Sequence, residues 1–522
     1  MKRKYSYKVG KKTVERNVSY IPIRYIIAAL LSLIEVCAVI GIVVVLCIYL
    51  PYFYVLAYIT QICCVVKIIS SDDNPDYKIP WLLFVLILPV VGFMLYFMFY
   101  SRKLKKKYIK RLIYLYDKSY EKDDAFLLAK MQEQNPESAG QAKMLLNISG
   151  AHIFNCTEQK YYSLGEKMFE DMLADLKSAE QFIFMEYFII EQGKFWNSIL
   201  DVLKEKVASG VEVKVIYDDI GCMNTLPGAY YKKLQKMGID AFPFSRLKGS
   251  ADSEFNNRNH RKITVIDGKI AYTGGVNIAD EYINEVVRFG HWKDCGLRLC
   301  GDGVKELTKL FLIDYGLSVK EITEERNNRY PLCEKNNNAN GFLIPFGDGP
   351  RPIYQRRVGK SVISNMIANA NDYAYIMTPY LIIDNDLCQT IEDAALRGVD
   401  VRIILPRVPD KKIVFTMSRS FYNRLMKAGV RIFEYEPGFV HSKVYLVDDT
   451  YAMVGTINLD YRSLVHHFEN GVWMCNTDCI KEIKLDFDNT FEKCIEITDQ
   501  NKKVRLGTRI FCALVRVFAP LL

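Results

Sequence analysis

Two short runs of this 522-residue sequence carry the same reactive residues at the same spacing: His260, Lys262 and Asp267, then His441, Lys443 and Asp448, each an H-x-K-x4-D pattern. Gly274 and Asn277 continue the first run and Gly455 and Asn458 the second, so five positions recur at one constant offset of 181. A lone H-x-K means little, but a gap-free recurrence of this kind marks an internal repeat. The chemistry that wants this set is displacement at a phosphodiester. Each H-x-K lies in a strand-like apolar run, where residues two apart face the same way, so His and Lys can point at one phosphate. If the halves pack as pseudo-twofold mates, two imidazoles, two ammonium groups and the carboxamides of Asn277 and Asn458 converge on one site. One histidine can attack phosphorus while the other protonates the departing alkoxide. A reference pKa of about 6.5 makes both protonation states accessible to histidine near neutrality. The lysines and asparagines would neutralise and orient the nonbridging oxygens, so the set calls for no metal.

The repeat extends outward and brings further residues into register. W-K-D-C-G-L-R-L-C, ending at Cys300, mirrors H-F-E-N-G-V-W-M-C, ending at Cys475, which aligns Asp294 with Glu469. A catalytic imidazole needs its second nitrogen held, and these two carboxylates suit that role. Asp267 and Asp448 follow their strands and precede turns, which assigns them structural hydrogen bonding. His291, His466 and His467 read as bystanders, and Tyr282, Arg462 and Ser463 as packing residues.

The elements that must position these groups alternate between strand and helix. G-V-E-V-K-V-I-Y from Gly210 mirrors G-V-D-V-R-I-I-L from Gly398, each a glycine helix end leading into a strand. The expected fold is therefore α/β: two tandem repeats at 156–330 and 351–500, packed as a pseudo-twofold pair, with a polar linker at 331–350.

Ahead of them, Tyr25–Leu50 holds 26 residues with one charge and Trp81–Tyr100 holds 20 with none, so both are expected to cross a bilayer. The apolar run at 51–66 is shorter and is expected not to cross. Residues 1–24 carry eight Lys/Arg against one Glu, and Arg102–Arg111 seven Lys/Arg in ten residues. That bias places both flanks in the cytoplasm and makes 25–100 a transmembrane region with an even number of crossings. Residues 101–155 then form a basic amphipathic connector. At 501–522, Ile510, Ala513, Leu514, Val517, Phe518 and Leu521 fall on one helical face, with Arg505, Arg509 and Arg516 off it, which predicts an amphipathic C-terminal helix suited to an anionic surface. The net charge of +9 also favours anionic partners. Fourteen scattered cysteines with no C-x2-C pair read as reduced thiols, consistent with a cytoplasmic setting.

On the double H-x-K-x4-D-x6-G-[SGT]-x-N pattern the chain resembles the phospholipase D superfamily. The blocks N-R-N-H-R-K-I-T-V-I-D-G-K-I-A-Y-T-G-G-V-N-I-A-D-E-Y and G-F-V-H-S-K…N-L-D-Y-R-S, with the segment N-P-D-Y-K-I-P-W-L-L-F, are similar to its bacterial cardiolipin synthases. The pattern departs mildly where Gly275 and Thr456 replace a frequent serine, which removes a side-chain phosphate contact in the first half. The resemblance implies transfer of a phosphatidyl group between two phosphatidylglycerol molecules, giving cardiolipin and glycerol through a phosphatidyl-histidine. It also implies His260 as nucleophile, His441 as general acid and base, a multi-pass place in a bacterial cell membrane, and lipid rather than nucleic acid as partner. Two alternatives stay open. A lipid hydrolase or a synthase with another alcohol would use the same residues. A membrane-tethered nuclease would use the same chemistry, against which stand the apolar segments and the lack of a recognisable nucleic-acid module.

Overall fold

The computed structural model describes residues 4–9, 12–17, 23–99, 124–246, 257–319, 339–350 and 356–498, together with residues 110, 353, 354 and 515. The amphipathic helix expected at 501–522, most of the basic stretch at 101–123 and most of the linker lie outside the described residues.

The first large sheet is built from β1 (Thr157–Tyr162), β2 (Phe182–Tyr187), β3 (Glu212–Asp218), β4 (Asp240–Phe244), β5 (Lys262–Ile266), β6 (Ile270–Gly274) and β7 (Gly296–Gly301), in the order β1-β7-β6-β5-β2-β3-β4. The second contains β8 (Phe342–Asp348), β9 (Tyr373–Met377), β10 (Asp400–Pro406), β11 (Arg431–Tyr435), β12 (Val444–Val447), β13 (Tyr451–Gly455), β14 (Glu469–Cys475) and an added edge strand, β15 (Cys494–Glu496). Its order is β8-β14-β13-β12-β9-β10-β11-β15. Strand for strand the two orders match, and so does the register: Ile183 sits opposite Ile266 in the first sheet, and Ala374 opposite Val447 in the second. Parallel strands β2, β3 and β4, like β9, β10 and β11, are joined through helices, as a parallel pairing requires.

The two sheets share a core. One apolar cluster runs from Phe184, Ile263 and Leu297 of the first sheet to Met377, Val444 and Val472 of the second. It includes residues of the helices Val304–Ser318 and Cys479–Phe491, which pack against both sheets. Separate clusters cover the outer faces. Each β2-type strand is thus buried on both sides, and Phe182–Tyr187 shows no exposed position. Residues 125–153, expected as a connector, form helices Ala125–Gln134 and Pro136–Ser149, which bury Leu127, Met131, Ala142 and Leu145 on the second repeat.

The N-terminal region differs from the expectation in two respects. Helices α1 (Ile23–Tyr49) and α2 (Pro51–Ile69) are each long and apolar enough to cross a bilayer, including the 51–66 run expected to stay out of it. The run 81–100 instead breaks into α3 (Pro75–Ile87) and α4 (Pro89–Phe99), which fold back on each other. Trp81 meets Tyr96 with ring centroids 5.8 Å apart, whereas a continuous helix would separate residues fifteen apart by about 22 Å. Pro89 interrupts the helix, and Gly92 lets the two helices of the hairpin touch, since a Cβ there would lie 2.1 Å from the Phe84 carbonyl oxygen. The α2–α3 corner docks on the second repeat: Asn74 donates to Asp384 and Asp386, and Asp76 accepts from the Asn385 N–H and the Tyr461 hydroxyl.

Among the residues whose side chains are described, the cysteines form no disulfide.

Candidate active site

The segment before each H-x-K leaves its own sheet to pair with the other repeat. The His260 N–H donates to the Phe468 carbonyl (2.9 Å), and the His441 N–H to the Lys293 carbonyl (2.7 Å). Gly438–Val440 runs parallel to His291–Lys293 in the same exchange. The main strands begin only at Lys262 and at Val444, so both histidines sit on these crossing segments rather than inside a strand.

This exchange decides which carboxylate serves which histidine. His260 Nδ1 lies 3.0 Å from Glu469 Oε2, and His441 Nδ1 lies 2.8 Å from Asp294 Oδ2. Each repeat's acid therefore holds the other repeat's imidazole. Both carboxylates are fully buried, and both histidines are nearly so. Burial pushes the Asp294 and Glu469 carboxyls up, but the neighbouring groups outweigh it: His441 and Lys443 hold Asp294 low, and His260 with His467 hold Glu469 well below the usual carboxylate range. Burial drives the imidazoles the other way, His260 to about 3 and His441 to about 4, against the pull of their carboxylates. Both rings are thus neutral near pH 7. At His260 the carboxylate against Nδ1 favours Nδ1–H and leaves Nε2 its lone pair, whereas at His441 the Lys443 Nζ also lies 2.8 Å from Nδ1 and competes with Asp294 for that atom. Neither Nε2 has a hydrogen-bond partner among the described residues.

Lys262 donates to the His260 carbonyl at 2.7 Å, and Lys443 to the His441 carbonyl, so each ammonium lies back along its own motif. Both are buried, and burial first, then the charge of Lys443, lowers Lys262 to about 7. Burial lowers Lys443 to about 8.

The remaining expected residues take varied places. Asp267 accepts from the N–H groups of Glu180, Gln181 and Phe182, each at 2.8 Å. Asp448 does the same for Asn371, Asp372 and Tyr373 at 2.7–2.9 Å. They lock the entry to β2 and β9 behind the site and have no contact with the imidazoles. Asn277 has its carbonyl filled by the Ile189 N–H and donates to the Tyr282 hydroxyl, which leaves it one N–H for a phosphate. Asn458 donates to Asp460 and keeps a buried, unpartnered carbonyl oxygen. Tyr282 stands edge-on to His441 at 5.4 Å, and Phe188 edge-on to His260 at 5.0 Å.

Thr456 and Ser463 both donate to Glu469, Ser463 at 2.6 Å. Read as packing in the sequence, Ser463 instead anchors an orienting acid. Gly275, the counterpart of Thr456, is explained by the shorter partner: a Cβ there would fall 1.9 Å from Asp294 Oδ1. His467, read as a bystander, lies beside His260, and its alignment with Trp292 was the available signal.

Two α/β repeats that meet across exchanged histidine–carboxylate pairs define the two-motif architecture of phospholipase D-like proteins. Residues 172–286 and 363–492 match the family described as "Cardiolipin synthase, PLD-like domain", and residues 59–99 match "Phospholipase D-nuclease N-terminal". An uncharacterized protein of Streptococcus mutans serotype c is 40% identical over 467 residues, covering 88% of this chain and 99% of that one. Cardiolipin synthase 2 of Bacillus anthracis is 34% identical over 465 residues, covering 87% of this chain and 88% of its own. The crystal structure of phosphatidylserine synthase from Haemophilus influenzae Rd KW20 superposes with a TM-score of 0.56 at 15% identity, over 73% of this chain and 98% of that one, a likeness of fold. The chain belongs to the phospholipase D-like cardiolipin synthase family and is a phosphatidyltransferase.

Proposed function

We propose that the chain joins two phosphatidylglycerol molecules into cardiolipin and glycerol, with His260 as nucleophile and His441 as acid and base. His260 Nε2 attacks phosphorus, the bond from phosphorus to the head-group glycerol oxygen breaks, and His441, which enters this step as the imidazolium held against Asp294, gives its Nε2 proton to the departing oxygen. A hydroxyl of the second phosphatidylglycerol then gives its proton to His441 and attacks phosphorus, and the P–N bond breaks to free His260. Asp294 and Glu469 orient the rings and stabilise each imidazolium as it forms. Lys262 and Lys443 sit beside the rings where they can face the nonbridging oxygens, and Asn277 and Asn458 can each offer an amide N–H. The observation that carries this reading is the reciprocal exchange, which presents one imidazole from each repeat, each held at Nδ1 by a carboxylate of the other repeat.

The setting belongs to the same proposal. With α1 and α2 as the two crossings of a bacterial cell membrane, the basic N-terminus, the α2–α3 corner docked on the second repeat and both repeats share the cytoplasmic side. The outward-facing Leu33, Ile34, Ile42 and Ile48 of α1 suit lipid. Purified protein with labelled phosphatidylglycerol in detergent or vesicles is expected to give cardiolipin and equimolar glycerol. Phosphatidic acid alone would replace the synthase by a hydrolase, and comparable cleavage of single-stranded DNA would favour the nuclease. His260→Ala is expected to abolish the acid-labile phosphatidyl-enzyme adduct, and loss of the adduct in His441→Ala alone would reverse the two roles.

A further inference from the structure

The two halves of the site differ in what stands behind each orienting acid. In one, Trp292 Nε1 donates to Asp294 Oδ2 at 3.2 Å, and the indole is tilted 45° against His441 with centroids 5.5 Å apart. In the other, His467 occupies the aligned position, tilted 42° against His260 with centroids also 5.5 Å apart. The pseudo-twofold thus puts an N–H-bearing ring against the orienting carboxylate and the reacting imidazole in both halves.

We propose that His467 is a positioning residue for His260, donating a ring N–H to Glu469 in the place Trp292 takes against Asp294. The inference rests on the reading of His260 as nucleophile. A carboxylate offers about four acceptor positions. His260 and Thr456 take two on Oε2, and Ser463 takes one on Oε1. His467 Nδ1 stands 3.6 Å from Oε1, just beyond hydrogen-bond range, is 8% exposed as a residue, and has no partner. A shift of about half an ångström fills the fourth position. Without that donor one acceptor position on Oε1 stays empty, and the carboxylate is held less firmly against the His260 ring.

His260, His467 and Glu469 offer ligand atoms that all lie within 4.8 Å of one another, the composition of a metal site. Thr456 and Ser463 already donate to Glu469, and the buried Lys262 ammonium stands in the same site, so the hydrogen-bond-donor reading is favoured.

Rapid-quench measurement of the phosphatidyl-enzyme adduct in the full-length protein decides it, with melting temperature as a check on folding. His467→Phe, a ring with no donor, is expected to slow adduct formation about 10- to 100-fold, the order expected for losing one hydrogen bond to a charged group, with KM for phosphatidylglycerol within about 2-fold. His467→Asn, which keeps a side-chain N–H donor at this place, is expected to restore at least half of the lost rate. Adduct formation in His467→Phe at the wild-type rate, or a change in KM alone, overturns the inference. So does inhibition of wild type by micromolar Zn2+ that spares His467→Phe, since that makes His467 a ligand. A wild type that forms no adduct would instead remove the nucleophile reading beneath it.

Discussion

At the scale of single residues, the exchanged pairs make an asymmetric prediction. Glu469→Gln should behave as a lesion of His260 and Asp294→Asn as one of His441, although each lies in the opposite repeat. Loss of the carboxylate leaves the ring in place with the wrong tautomer favoured, which in a comparable triad costs about 10⁴ in kcat. Rapid-quench kinetics should therefore find adduct formation slowed in Glu469→Gln, and adduct decay slowed in Asp294→Asn. The sequence alignment makes both acids visible as equivalent residues but is blind to the crossing, because which acid meets which ring depends on how the segments at 258–260 and 438–441 leave their sheets. The lysines add a pH dependence. With Lys262 near 7 and Lys443 near 8, the free protein loses the charges that meet the phosphate as pH rises through that window. A bound phosphodiester favours the ammonium forms and moves both values up. kcat/KM should thus fall between about pH 7 and 9 while kcat stays level further into the alkaline range.

At the scale of elements, Asp267 and Asp448 show what the third residue of the motif is for. Each sits at φ 52°, closes a turn and caps three backbone N–H groups that a neutral residue would leave buried without acceptors. Asp267→Ala is expected to cost about 2–4 kcal/mol, read as a lower melting temperature, because hydrogen bonds to a charged group are worth about 1.5–3 kcal/mol and orphaned donors add to the loss. The strands around the motifs were legible from period and repeat, since every one is bounded by turn residues and lies in a copied block. The run 81–100 was not. Hydropathy sums apolar content over a window and cannot see that Pro89 and Gly92 divide the run into two half-length helices. Cysteines at positions 81 and 96 should be joined by a short bifunctional thiol reagent within one chain. A continuous membrane-spanning helix would keep them about 22 Å apart and leave them unlinked.

At the scale of the whole molecule, the repeats are not two enzymes on one chain. Neither histidine is oriented by its own repeat, the shared core runs through both sheets, and the helices Val304–Ser318 and Cys479–Phe491 each pack on both. One chain therefore builds one site, and that site needs both of its repeats. The alternative, in which two chains trade repeats across a dimer, predicts that a chain carrying His260→Ala and a chain carrying His441→Ala would complement each other, since a mixed pair would contain one site with both histidines intact. Exchange within the chain predicts the opposite: every site in the mixture lacks one imidazole. Co-expression of the two variants, with both chains separately tagged and present in the membrane, should give no cardiolipin above that of either variant alone, while the same pair of changes reunited with a wild-type chain should give activity in proportion to the wild-type chains present.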